Sequence, residues 1–405
     1  MPETGNQRSI PLTPPTLTVG GWEPNRAQSL LINAALLPDE RALACFEQWL
    51  AHSAHHPIDS ASWRLLPLLR DNLLDLDLNH PALEEIRPIQ RYNWLRNKIH
   101  LNRASQALEM LHARGSRTMM LKGVPLLLRY YTDMGLRSME DFDILIPSDE
   151  AEETVAFLIE NGWHPPFIRS ELNSEWIQSH HSLNFTNDEE TRLDLHWHIF
   201  PERLAADADK PFWNTSIAID VNGVATRALD ATDELLATCL NGLRWEKVPP
   251  IRWIGDAMMI LEAEYAIDWE RLMTRAAELE QFSAIRVALS TLRFDFTANI
   301  PDETIRELNC RRPTARDAFD FLRRIHPPDR ASIGQRFRLH WRRYEMLKEH
   351  NPELLKFPGF PRYLQREWSL ASWLHAPFAA AGKLSSSLAR RLRRNSRSRT
   401  RTKNP

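Results

Sequence analysis

Asp141 and Asp143 stand two residues apart in the run Leu136-Arg137-Ser138-Met139-Glu140-Asp141-Phe142-Asp143-Ile144-Leu145-Ile146. Phe142–Ile146 reads as a strand, where side chains alternate between faces. The two carboxylates then share one face, and Phe142, Ile144 and Ile146 take the other, against a core. Paired carboxylates at a strand's start repel each other, which is costly without a cation. Mg²⁺ would offset that cost, because it prefers carboxylate oxygens together with substrate phosphates. The plain alternative is a solvated acidic edge.

Two further pieces flank this one. Upstream, Met119–Leu121 is a short apolar run that enters Lys122-Gly123 and then a helix. A strand feeding a helix in this way points free backbone N–H groups outward, a ready anion site. Gly123 lets a phosphate approach the main chain, and Lys122 adds charge; an ordinary strand-to-helix turn is the other reading. Downstream, Leu193-Asp194-Leu195-His196-Trp197-His198 puts Asp194, His196 and His198 on one strand face. A third carboxylate on a neighbouring strand would complete a two-metal site, and it could accept the proton of an attacking hydroxyl. Asp-x-His-x-His is also a Zn²⁺ ligand pattern, but that assignment leaves Asp141 and Asp143 without a role. Hydrogen-bonded strand histidines are the third option, and the favoured one for His198. Arg137, four residues before Asp141, offers a donor fork suited to phosphate, or a salt bridge to Glu140 or Asp133. Arg252 and Asp256 are spaced as a structural i,i+4 pair.

The elements that must position these residues follow from periodicity and turn chemistry. Residues 1–25 are rich in Pro, Thr and Gly and read as poorly ordered. Residues 26–115 are helical in pattern, including Trp63–Leu76 and a long helix Leu83–Leu111, bent near Pro88. Residues 116–228 are an α/β unit. Its strands are Met119–Leu121, Phe142–Ile146, Ser182–Phe185, Arg192–Phe200 and Val221–Ala228, and its helices are Val124–Tyr131 and Glu150–Glu160. Residues 229–350 return to helices, and 351–405 form an amphipathic, Arg-rich tail. The expected class is α+β, a small mixed sheet flanked by helices and helix-rich overall.

Composition agrees with that class. Glycine is scarce, 13 of 405 residues against a usual ~7%, which excludes a large turn-rich β protein. No apolar run reaches the ~18 residues needed to span a bilayer, and the N-terminus lacks an apolar signal region. Three widely spaced cysteines give no metal framework and fit a reducing compartment. The expected location is the cytoplasm. Nine Lys/Arg and no acids follow from Lys383 onward, which leaves a body with 42 basic and 53 acidic residues.

Taken in order, LKG, R-x-M-x-D-x-D and D-L-H-W resemble the nucleotidyltransferase superfamily of DNA polymerase β type. More narrowly, they resemble the bacterial family labelled uncharacterised nucleotidyltransferase. The resemblance covers about 111–200 and extends loosely through Ile251–Asp256 and Ile267–Trp269. It implies that Asp141 and Asp143 bind the two Mg²⁺ ions that hold an NTP triphosphate. Asp194 would bind the catalytic metal and activate the acceptor, and Gly123 would sit at the phosphate-cradling helix N-terminus. Val124 follows Gly123 where the superfamily usually has Ser or Gly, so Lys122 would compensate.

Three function classes result. One is transfer of NMP from an NTP to a small molecule, peptide or protein. Another is an RNA-directed nucleotidyltransferase, and the third is a non-catalytic binding protein on a decayed transferase fold. Three intact carboxylates weigh against the third. The tail, with Trp368, Leu370, Trp373, Leu374 and Phe378 ahead of Arg390–Lys403, admits three roles: an anchor on an anionic membrane surface, a nucleic-acid contact, or a docked helix with a loose basic end.

Overall fold

The computed structural model describes residues 21–166, 172, 174–326, 337, 340–341, 344–345, 348, 358–368 and 370–380. Contacts divide the chain into two compact units. One holds residues 1–202 and 206–329, and the other holds 203–205 with 330–405.

The first unit opens with helices α1 (Arg26–Leu36), α2 (Glu40–Ser53), α3 (Ser60–Trp63), α4 (Leu66–Asp75) and α5 (Pro81–Ala113). Asn25, Asp39 and Asp59 cap the first three through side-chain acceptors. The single helix expected over 63–76 is two, because Pro67 lacks an N–H and begins a new helix in its first turn. Pro88 sits inside α5, which runs unbroken for 33 residues.

A six-stranded mixed sheet follows: β1 (Met119–Leu121), β2 (Phe142–Leu145), β3 (Ser182–Thr186), β4 (Arg192–His196), β5 (Ile217–Val221) and β6 (Val224–Ala228), in the order β3-β4-β2-β1-β6-β5. The strand expected over Val221–Ala228 is instead a hairpin. Asn222 and Gly223 both take positive φ, the conformation of a tight two-residue turn, and so separate β5 from β6. The α+β, helix-rich class expected from the sequence is the one observed.

Helix α6 (Gly123–Tyr130) leaves the end of β1, and α7 (Ala151–Glu160), α8 (Ser174–Ser179) and α9 (Lys210–Thr215) lie among the later strands in sequence. After β6 come α10 (Ala231–Gly242), α11 (Arg252–Glu262), α12 (Trp269–Glu278), α13 (Phe282–Asp295), α14 (Asp302–Cys310) and α15 (Ala315–Arg324). Phe142, Ile144 and Ile146 join a core with Leu101, Leu108 and Leu111 of α5. Met119, Leu121 and Leu145 join a separate core shared with the N-terminal and C-terminal helices. The sheet is therefore covered on both faces, and Asp143 lies on the Leu145 face.

In the second unit, helix Gly359–Glu367 carries a small core of Tyr363, Leu364 and Ala376, against which Trp368 and Leu370 pack. Leu374 and Phe378 are exposed. The expected Arg-rich run lies outside the described residues, as does residues 1–20 of the expected loose N-terminus. Among the described residues no helix is long and apolar enough to cross a membrane.

Candidate active site

Strands β2 and β4 are parallel neighbours whose register sets Asp143 opposite Asp194 and Leu145 opposite His196. Period-2 alternation then places Asp194 and His196 on one face of β4. His196 Nε2 lies 3.1 Å from Asp143 Oδ1 and 2.9 Å from Asp194 Oδ2. Lys122 Nζ bonds Asp143 Oδ1 and lies 3.7 Å from Asp194 Oδ2. Among the described residues, Asp143, Asp194 and His196 form a group whose potential ligand atoms lie within 4.8 Å of one another.

Lys122 reaches this group through an unusual backbone. It has φ 53° and ψ −111°, in the region that favours glycine, between the end of β1 and the start of α6. Such a conformation in a long-chained residue costs of order 1–3 kcal/mol and persists only where the surroundings enforce it. Gly123 is fixed by a close approach. A Cβ there would meet Met139 Sδ at 3.0 Å and Arg137 Nη1 at 3.3 Å. The glycine thus seats the 137–139 segment against the N-terminus of α6.

The electrostatics are compensated. Burial opposes the charge on Asp143, but Lys122 and His196 outweigh it and hold the carboxyl below its usual range. Burial likewise opposes charge on Asp194, where His196 and then Lys122 prevail. Burial works against the Lys122 ammonium too, and Asp143 and Asp194 hold it above its ordinary value. The paired acids do not stand against each other uncompensated, as the sequence suggested: the chain supplies its own cation. Asp141 lies just before β2, outside the tight group, with its carboxyl raised by burial and by the charge of Asp143. His181 was missed by the sequence reading, having no spacing relation to the motifs. Its ring lies 5.5 Å from that of His196, edge to face, and burial and His196 push it down to about 3.

Other expected residues fall elsewhere. His198 leaves the group, since its Nδ1 pairs with Asp209 Oδ2 at 2.7 Å. This splits the Asp-x-His-x-His set. Arg137 is 4% exposed, and its fork is engaged by Asp256 at 2.7 and 3.0 Å. It braces α11 against the 131–139 segment rather than presenting that fork to a phosphate. Asp256 also accepts from Tyr131 Oη at 2.7 Å. Arg252 does not pair with it as expected and donates instead to the Ser138 carbonyl at 2.9 Å.

The residues fit a divalent cation. Asp194 Oδ1 is buried without a hydrogen-bond partner, although the nearby Ser182 hydroxyl helps to hold the charge. Two carboxylates and an imidazole stand within reach of one point, a donor set that a divalent ion can use. Ser138, Met139 and Glu140, immediately before Asp141, line an open cleft of about 670 Å³ together with Trp63, Arg64 and Tyr92.

No curated protein matches the chain. Among solved structures it is similar to an antigenic nucleotidyltransferase-like protein from Paracoccidioides brasiliensis, at 14% identity and a TM-score of 0.31, over 51% of this chain and 96% of that one. Residues 60–293, more than half of the chain, match the family described as uncharacterised nucleotidyltransferase, and they contain Lys122, Asp141, Asp143 and Asp194. The chain belongs to that uncharacterised nucleotidyltransferase family.

Proposed function

We propose that the chain transfers NMP from an NTP to a small-molecule, peptide or protein acceptor, with Mg²⁺ as the metal. One observation carries the reading: Asp143 and Asp194 stand opposite each other on adjacent strands, with a buried carboxylate oxygen left over. Asp143 and Asp194 would hold the metal beside His196, with Asp141, just outside that group, completing the carboxylate set when the ion binds. When bound, Mg²⁺ neutralises charge on the triphosphate. Lys122, released from Asp143, would turn its ammonium to the phosphates, and the free N–H groups at the start of α6 would receive an anionic oxygen. Asp194 would accept the proton of the acceptor hydroxyl. The hydroxyl oxygen then bonds the α-phosphorus as the bond to pyrophosphate breaks in line. The cleft beside Asp141 has room for a substrate.

The test is a mass-shift screen of products from a metabolite and protein extract, with each NTP and Mg²⁺, using wild type and Asp143→Asn. An NMP adduct that requires Asp143 supports the proposal. A phosphate adduct replaces it with phosphoryl transfer, and the lack of any adduct with every NTP overturns it.

A further inference from the structure

The middle of α5 is amphipathic the wrong way round. Its inward side chains there are polar: Asn93 donates to the Gly135 carbonyl, Asn97 to those of Met134 and Arg137, and His100 is buried. Its outward side chains are apolar. Tyr92 is 56% exposed, Leu95 56% and Ile99 51%, while Trp94 sits at the flank, beyond Lys98. A helix that stabilises a fold normally turns its apolar stripe inward. The inward amides have work of their own, since they hold the backbone of 134–137, the segment that leads to Asp141. The outward stripe contributes nothing comparable to folding, and exposed contiguous apolar surface marks an interaction site.

The borders of the stripe indicate the partner. At 3.6 residues per turn Tyr92, Leu95 and Ile99 align in one row. Arg91 and Lys98 run along one side of it, and Arg96 and Arg103 along the other. No Asp or Glu occurs between Glu85 and Glu109, in a chain whose body is otherwise acidic. Glu84 pairs with Arg87 and Glu189 with Arg103 toward the ends, and Glu140 shares the cleft with Arg96 and Tyr92, so the Arg91/Lys98 border is the one that no ion pair among the described residues engages. Lys98 lies over the Trp94 ring at 5.4 Å, and Arg96 donates to Tyr92 Oη at 3.1 Å.

We propose that this face of α5 docks on an anionic phospholipid surface. Leu95 and Ile99 would enter the acyl boundary, Tyr92, on the rim of the cleft, the headgroup layer, and Arg91 and Lys98 would meet lipid phosphates. A second copy of this chain fits less well, because a two-fold contact through the stripe would bring basic borders together. A nucleic acid would use the cations and aromatic rings but leave the central aliphatic pair without a role.

The test is co-sedimentation of the full chain with vesicles of phosphatidylcholine, with and without phosphatidylglycerol. Binding is expected only with the anionic lipid. Leu95→Asp/Ile99→Asp should reduce it at least about tenfold, and Arg91→Gln or Lys98→Gln about fivefold each. Leu95→Gln/Ile99→Gln is the milder pair. All four positions are exposed, so unchanged circular dichroism and Tm should show an intact fold. No vesicle binding by wild type overturns the proposal. So does undiminished binding by the variants, which would put the contact elsewhere, for instance in the basic C-terminal run. Loss of single-stranded RNA binding or of a dimer in these variants, without a vesicle effect, overturns it in favour of those occupants. None of these outcomes depends on NTP turnover, so the proposed catalytic function stands or falls separately.

Discussion

The Arg137–Asp256 pair and the Lys122–Asp143–Asp194–His196 group are both buried and ionic, and the short stretch from Arg137 to Asp143 joins them. In the first, one fork meets one carboxylate, Tyr131 adds a hydrogen bond, and the side chains are 4% and 6% exposed. It is closed. In the second, an ammonium and an imidazole face two carboxylates, the Lys122 side chain is 37% exposed, and one oxygen of Asp194 has no partner. It is open at one side. A closed pair fixes where elements sit, whereas an open one keeps bonding capacity for something that arrives. Charge content alone would not separate them; leftover valence and access do.

The largest effect should come from the open group. Asp143→Asn should lower NTP turnover at least about 10³-fold, as expected where a charge-stabilising contact is removed, with the fold retained. Because Lys122 and His196 both lose a charged partner, the metal-free variant should melt somewhat below wild type. Pyrophosphate release at saturating NTP and parallel melting curves check both parts. A variant with full turnover would show the open group to be as structural as the closed one.

The closed pair should fail in stability instead. Asp256→Asn leaves the Arg137 guanidinium buried without its counter-charge, at a cost of about 3–5 kcal/mol in urea unfolding. Arg137→Met/Asp256→Leu should recover much of that loss, since an apolar pair needs no compensation. No such rescue is expected for any pair of changes within the open group, read by turnover.

A third effect is in pH. Burial, only partly opposed by Arg129 and Arg137, pushes Glu234 up to about 8 from an ordinary 4.5. Between those values the folded chain keeps a proton that the unfolded chain has lost, so this group makes stability fall as pH rises. Glu234→Gln should flatten that fall in thermal melts taken from pH 5 to 8. The smallest effect concerns Lys122. Lys122→Gly relaxes the positive φ while removing the charge, so NTP KM should rise roughly tenfold, about what one exposed phosphate contact contributes, with kcat changed less. A kcat loss matching that of Asp143→Asn would instead make Lys122 part of the chemical step.

The parts of this comparison differ in how far the sequence revealed them. Asp143, Asp194 and His196 were legible because strand alternation is local and fixes a face from the spacing alone. Their convergence required only that the two strands be neighbours. Arg137 and Asp256 are 119 residues apart, and no local pattern relates them, so each was assigned to a nearer partner. Lys122 was seen as a phosphate ligand, but its contact with the acids depends on a backbone conformation that its residue type disfavours. The β5–β6 hairpin was missed for a different reason. Asn222-Gly223 is a strong turn signal, yet the short Ile217–Val221 segment before it was not separated from the strand that follows.

The parallel register of β2 and β4 has a genetic consequence. Losing or gaining one codon inside residues 142–145 or 192–196 would turn a carboxylate to the opposite side of the sheet, into the core lined by Phe142 and Ile144. The same lesion in the long connection between these strands could be taken up by a loop. In a library of single-codon insertions and deletions, the tolerated positions should therefore stop abruptly at the borders of these two short strands, and those borders would mark the site without any knowledge of its chemistry.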